Sequence, residues 1–457
     1  MKYARHSYSP VRPLAVLLAS AALLVGVGRA SVAPTAPATA TPVPDSLDLR
    51  TAIQFALENN FAIRQARERI REQQGIVLEV SSRQIPNVGA NGAYQLNETA
   101  ISQSFPASDR SWQINVTATQ VLFAGGGVRS AVRSTRLAEE AAILELQATI
   151  NEALLEARTA FYRVLLAREQ VQVQESNLQL LQSQLQTATD RYRAGTVSSF
   201  EQLRAEVAVA NAKVPLITAR NDYRLAMESL RQVTGFTSAD RSTLNKVPDF
   251  EGTLEFTPTQ FELQSAFEAA RANRPDLQRL EKLVEAGEEG IVTARSGYYP
   301  TISAFGGWAL RKGTTSAFRD SPEGFLGGVQ GQWNIFDGRA TTGRVRQARS
   351  RAEQTRLALE EARLAVDIDV RAAFSRWQEA NELVESSQRV VEQANEAVRL
   401  AQARYSAGTS TQLDVLQAQV ELTTARTNQL QAFFSYNVAV AQLRRAMGLP
   451  DEFVTRG

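Results

Sequence analysis

The residues best placed to do chemistry are two carboxylates in matching positions. Glu201 and Asp414 lie 414 − 201 = 213 residues apart, and each follows a glycine, Gly195 or Gly408, and a tyrosine, Tyr192 or Tyr405, at the same spacing. Acids gathered around one opening would raise the local cation concentration. Ser198-x-x-Glu201 and Thr411-x-x-Asp414 equally fit capping boxes, in which the acid satisfies the start of a helix, and both readings stand at this level. Catalytic chemistry has little to draw on. The chain has no cysteine and one histidine, His6, so thiol nucleophiles, histidine-based triads and ordinary zinc sites lack their parts. Gly125 to Gly127 and the pair Gly327-Gly328 resemble fragments of phosphate loops, yet no Gly-Lys-Ser/Thr follows either; they read as strand-to-helix bends. Neither a cofactor nor a catalytic or metal site is expected.

The carboxylates belong to a chain that repeats itself. RYRAGT at Arg191 to Thr196 recurs as RYSAGT at Arg404 to Thr409, AFYR at Ala160 as AFSR at Ala373, LFAGG at Leu122 as IFDGR at Ile335, and LRQVTG at Leu230 as LRRAMG at Leu443, all offset by 213. IPNV at Ile85 matches YPTI at Tyr299 with an offset of 214, so one residue of length change falls in between. A period this long is not a solenoid repeat. It divides the chain into a first unit at 48–236, a linker at 237–259, a second unit at 260–450 and a tail at 451–457.

Outside the duplication, Lys2, Arg5 and Arg12 precede an apolar run from Leu14 to Val27, and small residues follow at Ala30 and Ala33. This is the pattern of a secretory signal over residues 1–33, with an Ala/Thr/Pro-rich leader at 34–47. Removing the signal takes four of the 50 basic residues and none of the 48 acids, leaving 46 − 48 = −2. The basic pI therefore carries no nucleic-acid message.

Residues 128–193 hold no proline or glycine, which at 1.5 Å per residue makes a helix of about 100 Å. Near its end Leu178, Leu181, Leu185, Ala188 and Tyr192 are spaced 3-4-3-4, as are Val391, Ala394, Val398, Ala401 and Tyr405 in the second unit. That is coiled-coil spacing. Gly195 and Gly408 stop these rods as left-handed caps, and a shorter helix returns from each. Residues 51–83 are helical in pattern; their counterpart at 261–296 contains Pro275, which starts a separate helix.

Between the first helix and the rod the pattern changes to period two. Val88, Ala90, Tyr94 and Leu96 alternate with Asn87, Asn91 and Gln95, and Trp112, Ile114, Val116 and Ala118 alternate with Gln113, Asn115, Thr117 and Thr119. Residues 300–310 and 325–336 form the matching pair. None of the four segments contains a charge, although charged residues make up 21% of the chain; membrane-spanning strands show that depletion. Phe123, Tyr298, Tyr299 and Phe336 at one end, with Trp112, Trp308 and Phe325 near the other, suit two aromatic girdles. Four strands cannot close a barrel, and open edges are not tolerated in lipid, so copies must combine. Closure alone does not choose between eight strands and twelve.

The duplicated order, the RYxAGT turns, the signal and the uncharged hairpins together resemble the TolC family of outer-membrane efflux channels over essentially the whole mature chain. The resemblance implies an internally duplicated α+β membrane protein: a homotrimer whose twelve-stranded transmembrane β-barrel, four strands per chain, continues into a long α-helical coiled-coil barrel in the periplasm. It implies an inner-membrane transporter and a periplasmic adaptor as partners, outer-membrane lipid around the strands, and no nucleic acid. It places a periplasmic aperture at Tyr192, Glu201, Tyr405, Ser410, Asp414 and Gln417. Adaptor-docking tips fall at Arg191, Gly195, Thr196, Arg404, Gly408 and Thr409. Ser410 and Gln417 depart from the family pattern, which has a basic residue and a second acid there. The expected function is passive conduction through a tripartite efflux system, with a protein-secretion conduit or a periplasmic coiled-coil scaffold as alternatives.

Overall fold

A computed structural model describes residues 46–96, 98, 110–235, 249–312, 318 and 321–453. The signal, nearly all of the leader, most of both hairpin ends, the linker through 248 and the last four residues of the tail lie outside the described residues.

The order of elements is the same in each repeat. The first runs β1 (Ser46–Leu47), α1 (Leu49–Asn59), α2 (Phe61–Ser81), β2 (Asn87–Leu96), β3 (Arg110–Ala124), α3 (Gly127–Arg193) and α4 (Ser199–Thr234). The second runs β4 (Asp249–Phe250), α5 (Leu263–Asn273), α6 (Pro275–Arg295), β5 (Thr301–Arg311), β6 (Glu323–Gln332), α7 (Ala340–Ser406) and α8 (Gln412–Ala446). The two rods, α3 and α7, are both 67 residues long. β1 and β4, one from each repeat, pair in parallel.

The single helix expected over 51–83 is two helices. Asn60 ends α1 and caps α2: its Oδ1 accepts from Ala62 N at 2.8 Å and Ile63 N at 3.3 Å, while its Nδ2 donates to Val233 O at 2.7 Å. A buried asparagine thus makes the break that Pro275 makes in the second repeat. The helices pack side by side, α2 on α3, α3 on α6 and α6 on α7; toward the other end α4 packs on α3, α3 on α8 and α8 on α7. The returning helices cover only part of each rod, and α2 and α6 cover the rest.

The four longer strands form one antiparallel sheet in the order β2-β3-β5-β6. Register carries the alternation across it. Val116 pairs with Ala90 and Trp308, and Trp308 with Phe325, so these share one face. Thr117 pairs with Gly89 and Gly307 on the other. The first face collects Val88, Tyr94, Leu96, Trp112 and Ile114; the second collects Asn87, Asn91, Gln95, Gln113 and Asn115. A register shift between Val121 and Phe123 brings Phe123 opposite Ile302, onto the apolar face.

Two glycine readings part here. Gly125 and Gly126 do turn the chain from β3 into α3 at φ 55° and 78°, and Gly338 with Arg339, at φ 63° and 71°, makes the equivalent bend. Gly327 and Gly328 instead lie inside β6, opposite Gly306 and Phe305. Their bend reading was wrong because an extended glycine pair and a turning one look alike in sequence. Strand approach also requires Gly307, where a Cβ would strike the Val116 carbonyl oxygen and Thr117. Gly306, beside it, has nothing nearer than 3.9 Å. Gly307→Ala should therefore destabilise the sheet by about 1–3 kcal/mol and Gly306→Ala hardly at all, read as midpoints of thermal unfolding in detergent. Equal midpoints would mean that the close approach is not a constraint.

Candidate functional site

Each rod ends in a turn built by glycine. Gly195, at φ 71°, donates to Tyr192 O at 2.9 Å, and Thr196 closes the turn with its amide and its hydroxyl, both on Arg191 O at 2.9 and 3.0 Å. Gly408, at φ 74°, repeats this with Tyr405 O, and Thr409 with Arg404 O. A left-handed residue is needed to release the carbonyls of the last helical turn to these donors, and only glycine adopts it without a steric cost. The coiled-coil stripes behind the turns are packed as their spacing demands. Leu181, with Leu178 and Leu185 partly buried, packs on Val209 and Ala212 of α4, and Leu416 of α8 joins them from the other repeat. Val398 packs on Ala418 and Leu422.

The two carboxylates, equivalent in sequence, have different surroundings. Asp414 completes a capping box: its Oδ2 accepts from Thr411 N at 2.8 Å and from Thr411 Oγ1 at 2.9 Å. Those bonds hold its carboxyl below the usual carboxylate range, the backbone donor contributing most. Glu201 makes no such box, and Ser198 forms no side-chain cap. Its Oε2 faces Tyr405 Oη of the other repeat at 3.5 Å, and the Arg191 guanidinium stands over the Tyr405 ring at 4.9 Å. Tyr405 is half-buried by these neighbours, whereas Tyr192 is 45% exposed.

Arg191, Glu201 and Tyr405 are thus brought together; Tyr192, Asp414 and Arg404 are not. Ser410 is partly buried, with an Oγ that has no partner among the described residues, and Gln417 is exposed and donates to Glu421 at 3.3 Å. Sequence reasoning missed the glutamines of α8. Gln412 and Gln419 are 5% and 2% exposed, and neither the Gln412 Oε1 nor either amide atom of Gln419 finds a partner among the described residues. Their signal was available: 412, 415, 419 and 422 is helical core spacing, interrupted by two amides.

At the far end of the rods the aromatic residues fall into steps. Trp112 stacks on Tyr94 with ring centroids 6.5 Å apart, donates from Nε1 to Ser321 Oγ at 2.9 Å, and lies under Lys312. Trp308 and Phe325 pair opposite each other at the level of Val116, four residues inward along the strand from Trp112. Near the helices Phe123 and Phe336 are exposed, and Trp333 Nε1 donates to Tyr298 O at 3.1 Å. Tyr298 Oη reaches Thr342 Oγ1 at 3.2 Å, and Tyr299 is 56% exposed.

A sheet with one apolar face, whose only charges, Arg110, Arg311 and Glu323, stand at the strand ends away from the helices, joined to two rods of about 100 Å that end in paired turns, defines an outer-membrane channel protein. Residues 52–236 and 266–449 match the family described as Outer membrane efflux protein, one segment per repeat, and the chain belongs to that family. It is 26% identical to protein CyaE of Bordetella pertussis over 91% of this chain and 86% of that protein. It is 25% identical to outer membrane protein TolC of Escherichia coli over 70% of this chain and 66% of that protein. The solved CmeC outer membrane channel of Campylobacter jejuni shares its fold, with a TM-score of 0.77, 14% identity and coverage of 88% of this chain and 85% of that one. The chain is an outer-membrane efflux channel with a long periplasmic helical extension.

Proposed function

We propose that three copies of this chain form a passive duct, closing a twelve-stranded barrel and receiving cargo from an inner-membrane transporter through a periplasmic adaptor. The observation that carries the need for partner copies is the open sheet, and membership of the efflux family supports three as their number. β2 and β6 are both edges, and unpaired edges in hydrocarbon must find partners in other copies. The apolar face, with Val116, Trp308 and Phe325, would then meet lipid, and the face with Asn91, Asn115 and Thr117 would line the lumen. Phe123, Tyr298, Tyr299 and Phe336 would mark the periplasmic interface, and Trp112 the opposite one. Trp308 and Phe325 would lie deeper. Cross-linking in native outer membranes should yield a trimer, and the purified protein should conduct in planar bilayers. A protein that is released from membranes without detergent and does not conduct would sink the proposal.

At the periplasmic end, Arg191, Gly195 and Thr196 with Arg404, Gly408 and Thr409 supply two like turns per chain for the adaptor. Tyr192, Glu201, Tyr405, Ser410, Asp414 and Gln417 surround the aperture, but the acids have separate roles. Asp414 is committed to starting α8; Glu201 is held toward Tyr405 and remains the acid available to passing ions. Glu201→Gln should therefore lower cation preference in reversal-potential measurements more than Asp414→Asn, which should instead cost about 1 kcal/mol of helix-start stability. Equal effects on reversal potential would refute this division.

A further inference from the structure

Below the sheet, the two rods carry the same charges in the same order. Arg133 and Arg136 on α3 match Arg346 and Arg349 on α7, and the acids that follow, Glu140 and Glu353, also match; every offset is 213. All six are exposed. At spacings of three and four they form one stripe on each helix, with the cations toward the sheet and the acid one turn farther away. Neither rod has an acid in its first turn. Arg133 pairs with Glu289 at 3.1 Å, while Arg136, Arg346 and Arg349 make no salt bridge among the described residues. Coiled-coil packing does not need arginine on an exposed face, and the fold leaves three of the four charges uncompensated.

We propose that this arginine stripe docks the phosphate headgroups of anionic phospholipids in the leaflet nearest the helices. The proposal rests on the channel reading above, and its surface continues directly from the apolar face of the sheet. Thr342, one turn before Arg346 on the same stripe, is bonded to Tyr298, whose backbone carbonyl in turn receives Trp333. The α7 stripe therefore lies beside the interfacial residues Tyr298 and Trp333, and the α3 stripe is placed by the 213-residue equivalence of the two rods. Depth agrees as well. Arg133 and Arg346 are six residues into their helices and Arg136 and Arg349 nine, about 9 and 14 Å from the helix start. Side chains on a helix lean toward its N-terminus, here toward the membrane, and an arginine gains back roughly one 5 Å turn. Its guanidinium then falls in or beside a headgroup layer about 5–8 Å thick. Guanidinium is suited to phosphate because its planar donors bind two oxygens at once.

Native mass spectrometry of the full-length, detergent-solubilised protein, titrated with phosphatidylglycerol or phosphatidylcholine, tests the assignment. Wild type should favour phosphatidylglycerol. The pair Arg136→Gln with Arg349→Gln should bind it about thirtyfold more weakly, as expected for two basic residues at an anionic surface, with phosphatidylcholine unchanged. Arg136→Lys with Arg349→Lys should retain most of the preference, which separates charge from folding. Undiminished phosphatidylglycerol binding by the glutamine pair would overturn the proposal. So would full competition by inorganic phosphate, which would make the stripe a free-anion site. A change in ion selectivity without a change in lipid binding would place the stripe in the lumen and also overturn it. Bilayer conductance of the wild type reads the channel proposal separately, since a conducting protein without lipid preference would lose only the docking surface.

Discussion

Asp451→Ala should destabilise the protein by about 3–5 kcal/mol, the cost of stranding a buried charge. The stranded group is Arg158, in the middle of α3. It holds Asp451 in a two-pronged ion pair, Nε to Oδ2 at 3.2 Å and Nη2 to Oδ1 at 2.9 Å, with side chains only 12% and 11% exposed. Burial, the largest single influence, lowers the guanidinium's pKa, and Asp451 together with Tyr162 more than offsets this. The guanidiniums of Arg50 and Arg158 also stand over the Phe453 ring at 5.1 and 5.3 Å. The segment following the last helix of the second repeat is thereby fastened to the first repeat. Replacing both partners, Arg158→Leu with Asp451→Leu, should recover much of the loss, because the desolvation cost of the pair disappears with it. Thermal or denaturant unfolding of the two variants beside the wild type checks this. A single substitution costing under about 1 kcal/mol would mean that water reaches the pair and screens it as it does at a surface.

Val116→Arg should block assembly in the membrane while Thr117→Arg is tolerated. The two positions are neighbours on one strand and differ only in the face they occupy. Val116 shares its face with Trp308 and Phe325, and Thr117 lies between Gly89 and Gly307 on the face of the amides. A cation on the lipid side near the midplane costs about 2–4 kcal/mol, so a trimer would lose roughly three times that. On the other side the guanidinium stays in water. Heat-resistant oligomer recovered from outer membranes is the readout, with periplasmic degradation expected for the first variant. Equal recovery of both would mean that the sheet does not face lipid.

Much of this architecture was legible because its signals are local. The 213-residue offset, the uninterrupted rods, the coiled-coil stripes and the glycine stops each depend on neighbours within a few turns, and all appear where the residues place them. The alternation of β2 and β3 was equally plain, since one face of each hairpin needs to be apolar whatever lies beyond it. Breaks were harder. Asn60 is unremarkable in a helical pattern until its side chain meets Val233 O, 173 residues away.

The tertiary structure alone separated what duplication made identical. Glu201 and Asp414 occupy the same place in their repeats, but Thr411 turns back to hold one, and Tyr405, lying under Arg191 of the first repeat, approaches the other from across the repeat boundary. A sequence lists both options for an acid six residues after a glycine stop, capping and contact. Which is taken depends on packing between distant helices, where a displacement of a few ångströms makes or breaks a hydrogen bond. The same reason hid the pairing of Arg158 with Asp451, 293 residues apart, and the burial of Gln419. The chain's composition and periodicity determined a duplicated protein of long rods and membrane-type strands, and the family resemblance made it a channel. The approach of one repeat to the other decided which of its matched residues act as partners and which remain alone.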